Sequence, residues 1–116
     1  MRINFSFANQ SFGVKLYANP TARDLLTKLP FDLEIEDYST NEKIAYLPQK
    51  LIEHQAGRFP DPAVGDLCYY VPWGSLAFYH GPYGYSAGLI RVGTVIGGIE
   101  PLLTRGRYPL RAEVLT

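Results

Sequence analysis

The sequence predicts a mainly β fold, a closed or nearly closed antiparallel β-barrel with one or two short helices, in a single domain spanning residues 1–116. Three observations predict the barrel. Apolar and polar residues alternate in short runs along most of the chain, a single stretch has helical spacing, and the repeated helical crossovers that a parallel sheet requires are missing.

Ile3, Phe5 and Phe7 point one way while Arg2, Asn4 and Ser6 point the other, the period-2 pattern of a half-buried strand. Phe12, Val14 and Leu16 repeat it after the polar Asn9-Gln10 pair, so Arg2 to Tyr17 reads as an antiparallel hairpin. Asn19-Pro20 then signals a helix start, because Asn can cap a backbone N–H and Pro at the first helical position loses no needed donor. Ala22, Leu25, Leu26 and Leu29 recur at helical spacing until Pro30. This short helix is expected to cover a barrel mouth or a sheet face.

Phe31, Leu33 and Ile35 alternate with Asp32, Glu34 and Glu36 in a third strand with an acidic outer side, and Lys43 to Leu47 reads as a fourth. Between Pro48 and Gly65 the pattern decays into a loop punctuated by Pro and Gly, with one helical turn expected near Leu51. Leu67 to His80 is apolar and aromatic on both faces around the turn signal Pro72-Trp73-Gly74-Ser75, which predicts a central hairpin. Leu89 to Ile96 is a further strand, and Leu110 to Leu115 is expected to close the sheet as an edge strand. No internal repeat or low-complexity segment is present.

Eleven basic and eleven acidic residues cancel, so overall charge gives no reason to expect nucleic acid or an anionic membrane as partner. Every hydrophobic run is broken well short of the roughly 18 apolar residues of a membrane span. The N-terminal segment lacks the apolar run of a signal peptide, and Cys68 is the only cysteine, so a soluble cytoplasmic protein without disulfides is expected.

The segments NPTARDLLTKLP, EDYSTNEKIAYLP and GDLCYYVPWGSLAFYHGPYGYSAGLIRVGTV, over about residues 19–98, resemble the cyclophilin-like domain family of small uncharacterised bacterial and archaeal proteins. The resemblance implies a β-barrel with helices closing its ends. It does not carry over the prolyl isomerase activity of true cyclophilins, whose F-H-R-[IV]-I and F-x-[MC]-Q-G-G-D motifs do not occur here. Isomerisation must lower a barrier of about 18–20 kcal/mol, which cyclophilins do with an arginine bonded to the twisted amide. Arg91, the arginine of a predicted core strand, is the substitute to weigh as a catalytic residue, and on alternation alone it could equally point outward into solvent.

Aromatic density is the strongest local signal: Tyr69, Tyr70, Trp73, Phe78, Tyr79, Tyr83 and Tyr85 fall within a short span. Tyr and Trp combine an apolar body with a hydrogen-bonding tip, which suits ligand pockets. Periodicity assigns half of them to the barrel core, and Trp73, Tyr83 and Tyr85, on Gly-flanked turns, are the stronger binding candidates. Glu42 and Tyr46 could add a carboxylate and a phenol to one pocket, the bland alternative being a Glu42 paired with Lys43 or solvent.

Gly81 to Gly88 lacks the Lys-Ser/Thr ending of a phosphate loop. His54 and His80 lie in no metal-ligand spacing, so neither metal nor other cofactor is expected. A Cys68–His80 nucleophilic pair competes with an inert buried thiol, and Arg105, Arg107 and Arg111 read as a solvated face or a salt-bridge network rather than an anion site. The reading is therefore a binding domain whose ligand, a peptide or small apolar molecule, sits among Glu42, Tyr46, Trp73, Tyr79, Tyr83 and Tyr85. The alternatives are a divergent prolyl isomerase using Arg91 and a structural subunit that forms a homodimer through exposed aromatics.

Overall fold

The computed structural model describes residues 1–53 and 57–115. Among them, eight strands, one α-helix and two 3₁₀ turns form. The strands are β1 (Arg2–Phe7), β2 (Gln10–Leu16), β3 (Phe31–Tyr38), β4 (Glu42–Tyr46), β5 (Asp66–Tyr70), β6 (Ser75–Tyr79), β7 (Leu89–Ile96) and β8 (Tyr108–Val114), with helix α1 at Pro20–Thr27. They close a barrel in the order β1-β2-β7-β5-β6-β4-β3-β8, every neighbouring pair antiparallel.

Closure changes the last strand's role. β8 pairs with β1 on one side and β3 on the other, so it is not the edge strand its sequence suggests, and it starts two residues earlier, at Tyr108. The first hairpin turns at Ala8-Asn9, both with positive φ, one residue before the polar pair that marks it in the sequence. β4 begins at Glu42 rather than Lys43. Residues 48–53 are irregular, without the turn of helix expected near Leu51, because Leu51 and Ile52 are tied to other elements instead. The Leu51 N–H donates to the Tyr69 hydroxyl (3.1 Å), the Ile52 N–H to Asp24 (2.8 Å), and the Thr21 hydroxyl to the Ile52 carbonyl (2.6 Å).

Inward-facing residues of alternate strand positions fill the interior. The rings of Phe5, Phe12 and Phe78 meet at centroid distances of 5.1–5.8 Å around the middle of the barrel, and burying each contributes about 1.5–3 kcal/mol. Ala22 and Leu25 of α1, Leu51, and Leu102 of the 3₁₀ turn Glu100–Leu103 belong to the same cluster. A closed wall admits them only at its ends, so α1 closes a mouth, as its amphipathic pattern leads one to expect. Asn19 caps that helix, accepting from the Ala22 N–H (2.8 Å) while its amide donates to the Arg91 carbonyl on β7 (3.0 Å). Gly93 is required in β7 for close approach, since a Cβ there would lie 2.7 Å from the Lys15 carbonyl oxygen. No helix among the described residues is long and apolar enough to cross a membrane.

Candidate binding cleft

The outer wall over β3, β4, β6, β5 and β7 carries the chemistry. In β5 and β6 the side chains alternate, so Tyr69 and Phe78 enter the interior whereas Cys68, Tyr70, Ala77 and Tyr79 face outward. A second apolar cluster therefore lies outside the barrel: Cys68, Ala77, Tyr79 and Leu89, covered by Phe59, Tyr70, Tyr83 and Tyr85.

Beside this cluster opens a cleft of about 190 Å³. Cross-strand register builds it, because Glu42 is the partner of Tyr38 on β3 and of Tyr79 on β6, and Ser75 is the partner of Tyr70 on β5. The buried Ile44, Ser75, Ala77 and Leu89 complete its lining with Ser86. Trp73, on the 3₁₀ turn Val71–Trp73 between β5 and β6, stands edge-to-face against Tyr38 (5.1 Å between centroids) and Tyr70 (5.3 Å). That turn ends with the Gly74 N–H bonded to the Tyr70 carbonyl (2.9 Å) and the strand re-entering as β6. Trp73 keeps 43% of its surface exposed, whereas the Ser75 hydroxyl is buried with no hydrogen-bond partner among the described residues.

Glu42 is half-buried in the cleft, and among the described residues its carboxylate makes no hydrogen bond or ion pair. Loss of hydration pushes its pKa up to about 7. The pairing with Lys43 that the sequence allowed does not form, since neighbouring residues in a strand face opposite ways. Lys43 is fully buried on the inner side, its ammonium donating to Asp37 (2.8 Å) and lying 5.6 Å from the centre of the Phe7 ring. Burial and the Glu42 charge also raise the Tyr79 phenol above its ordinary range.

Of the residues expected from the sequence, Glu42, Trp73 and Tyr79 thus line one cleft. Tyr83 lies behind it. Its ring stacks on Tyr79 (3.6 Å, 7°), and its hydroxyl donates to Asp66 (2.6 Å), which also accepts from the Ala63 N–H (2.9 Å). Tyr85 packs edge-on against Phe59 (5.2 Å) with Arg58 over its face. Tyr46 is exposed at the end of β4 and outside the lining. Tyr38, Ile44, Tyr70, Ser75, Ala77, Ser86 and Leu89 are lining residues that sequence reading did not assign. For Tyr38, period-2 continuation of the outward acidic row through Glu36 was the available signal.

Arg91 also faces outward, away from this cleft. Its guanidinium donates to the Asp61 carboxylate (2.9 Å) and carbonyl (3.0 Å), lies 3.6 Å from Asp66, and covers the Phe59 ring at 4.6 Å. Burial works against its charge, but the bond to Asp61 and the charges of Asp66 and Asp61 hold its pKa above the ordinary value. It borders a separate depression with Tyr17, Asn19, Gly57 and Phe59.

The Cys68 thiol contacts the Tyr83 hydroxyl (3.6 Å), and burial pushes its pKa up to about 12, an inert state. His80 makes no hydrogen bond to it among the described residues. His54 lies outside the described residues. Arg105, Arg107 and Arg111 pair with Asp37, Glu34 and Asp32, a salt-bridge network rather than a merely solvated face.

A sequence profile of the Cyclophilin-like family matches residues 5–112. The chain belongs to the Cyclophilin-like family. This Cyclophilin-like chain is also similar in fold to a hypothetical protein of Archaeoglobus fulgidus known from a solution structure, with a TM-score of 0.76 and 17% identity over 97% of this chain and 93% of the other. At that identity the likeness concerns the fold alone. Comparison with curated proteins finds no match.

Proposed function

We propose that this Cyclophilin-like barrel is a binding domain whose outer-wall cleft takes a small ligand or one side chain of a peptide. The observation that supports this reading most is the aromatic wall. Trp73 lines the cleft, braced by Tyr38 and Tyr70, yet keeps 43% of its surface exposed, and the lining also holds the Ser75 hydroxyl, buried without a partner among the described residues. Rings held rigid and left accessible lose little entropy on contact with a ligand. A volume of about 190 Å³ falls below the range of drug-sized pockets, about 300–1,000 Å³, so the ligand is compact.

Prolyl isomerisation is the weaker reading. It needs a guanidinium free to bond a twisted amide, and Arg91 is engaged by Asp61 and Asp66 outside the cleft. Among the described residues, no arginine lines the cleft.

Trp73 is the only tryptophan, so its fluorescence reports on the cleft alone. Titration with a library of compact molecules and short peptides is expected to give saturable changes in emission, and Tyr38→Ala, a substitution at an exposed position, should weaken the binding. A library that leaves the emission unchanged, or binding indifferent to Tyr38→Ala, would overturn the proposal.

A further inference from the structure

We infer that the ligand of the cleft is an organic cation, an alkylammonium or quaternary ammonium group small enough to stand between Glu42 and the rings of Tyr38, Tyr70, Trp73 and Tyr79. The inference rests on the binding reading above and adds the chemical class of the ligand.

Three observations carry it. The lining places one carboxylate, Glu42, between two tyrosines by cross-strand register, Tyr38 on β3 and Tyr79 on β6, all on the same face of the wall. That carboxylate has no positive partner among the described residues. Among the described residues, no lysine, arginine or histidine lines the cleft, while the adjacent Lys43 is turned inward onto Asp37. Every other acidic side chain of β3 and β4 is matched, Asp32 with Arg111, Glu34 and Glu36 with Arg107, and Asp37 with Lys43, so the exception falls where the wall opens.

The rings supply the second half of the recognition. Tyr70, Trp73 and Tyr38 meet edge-to-face within the lining, and the π-faces of such rings carry the negative end of the ring quadrupole. Aromatic walls with a carboxylate attract ammonium groups that are too weakly hydrated to prefer water. Ser75 lines the same cleft, and its hydroxyl is buried with no hydrogen-bond partner among the described residues, a polar group whose capacity to donate or accept is unused.

A neutral ligand would leave Glu42 half-buried as an uncompensated charge or force it to keep its proton. A cation compensates it. Affinity for a cation should therefore rise with pH as Glu42 ionises. The other titratable groups facing Glu42 are Tyr38 from β3, Tyr79 from β6, and Tyr70 and Cys68 from β5, phenols and a thiol that ordinarily titrate above pH 8.

The test uses the whole chain and the fluorescence of Trp73, with tetramethylammonium and butylammonium as cations, 3,3-dimethyl-1-butanol as a neutral probe of similar shape, and butyrate as an anion. The cations are expected to bind at least about tenfold more tightly than the neutral probe at pH 8. For tetramethylammonium, whose charge does not titrate, affinity should increase about tenfold between pH 5.5 and pH 8. Glu42→Gln should remove both the preference and the pH dependence, and Glu42→Asp should restore part of them in a protein with unchanged circular dichroism.

Equal binding of the neutral probe, or cation binding unaltered in Glu42→Gln, would overturn the cation assignment while leaving the cleft a binding site. Neutral binding that strengthens at low pH would overturn it as well, by assigning Glu42 the role of a hydrogen-bond donor. Failure of every probe and of the compact-molecule library to alter Trp73 would overturn both readings together.

Discussion

Lys43 carries a full charge into the barrel wall, and Asp37 makes that possible. Its ammonium is fully buried and donates to Asp37, which also accepts from the Gly106 N–H (2.7 Å) and lies near Arg105. Removing Asp37 strands the ammonium, so Asp37→Ala is expected to cost about 3–5 kcal/mol in urea unfolding, whereas Lys43→Met, which keeps the stem and discards the charge, should cost far less. Burial works against the Asp37 charge, but the bonds from Lys43 and Gly106 outweigh it and hold its pKa below the ordinary 3.8. Stability from this pair is therefore present above about pH 4 and is lost as pH falls through the depressed value.

Glu42 has the opposite sign. Its pKa is about 7 in the fold against 4.5 for an unperturbed glutamate, so the folded state holds the proton more tightly and stability declines as pH rises from about 4.5 to 7. Allowing for solvent screening at this half-buried group, the loss is about 1–2 kcal/mol. His80, whose proton affinity is lowered chiefly by burial, tilts the profile the other way. The decisive quantity is thus the difference between wild type and Glu42→Gln, which should be small at pH 5 and favour the variant by about 1–2 kcal/mol at pH 8. A pH-independent difference would contradict the assignment.

At the scale of elements, the cleft depends on the contact between the loop 81–88 and the turn that carries Trp73. Gly88 has φ +93°, and a Cβ there would lie 2.8 Å from Pro72, while the Val71 N–H donates to the Gly88 carbonyl (2.9 Å). Gly88→Ala therefore both strains the backbone and pushes on Pro72, with an expected cost of about 1–3 kcal/mol. Amide exchange should quicken around Val71–Trp73 and not in β1 or β2, whose register is remote from the turn. The strands themselves were legible in the sequence because alternation such as Phe31-Asp32-Leu33-Glu34-Ile35 expresses which side faces the core. The cleft was less so. Tyr38, Glu42, Ser75 and Tyr70 come together only because β6 lies between β4 and β5, a pairing order that no local pattern encodes. Tyr69 and Tyr70 look alike in the sequence, yet one lies in the core and the other at the cleft. The edge role expected of β8 failed for a related reason, since closure is a property of all eight strands together.

At the scale of the whole molecule, sealing the wall commits the interior to packing. Phe5, Phe12, Phe78 and Tyr69 fill the barrel, so recognition moves to the outside, onto the stretch of wall where two loops and a 3₁₀ turn leave aromatic rings accessible. That surface carries the cleft beside Glu42 and Trp73 and a further depression bordered by Arg91, Tyr17 and Phe59. The Asp61–Arg91–Asp66–Tyr83 chain of contacts separates them and ties both covering loops to the wall. A proton–nitrogen correlation spectrum recorded through a titration with butylammonium distinguishes the two depressions directly. The account predicts that the largest shifts map to Tyr38, Glu42, Tyr70, Trp73 and Tyr79, with Asn19, Phe59 and Arg91 unmoved. Shifts concentrated at Tyr17, Asn19, Phe59 and Arg91 would contradict it.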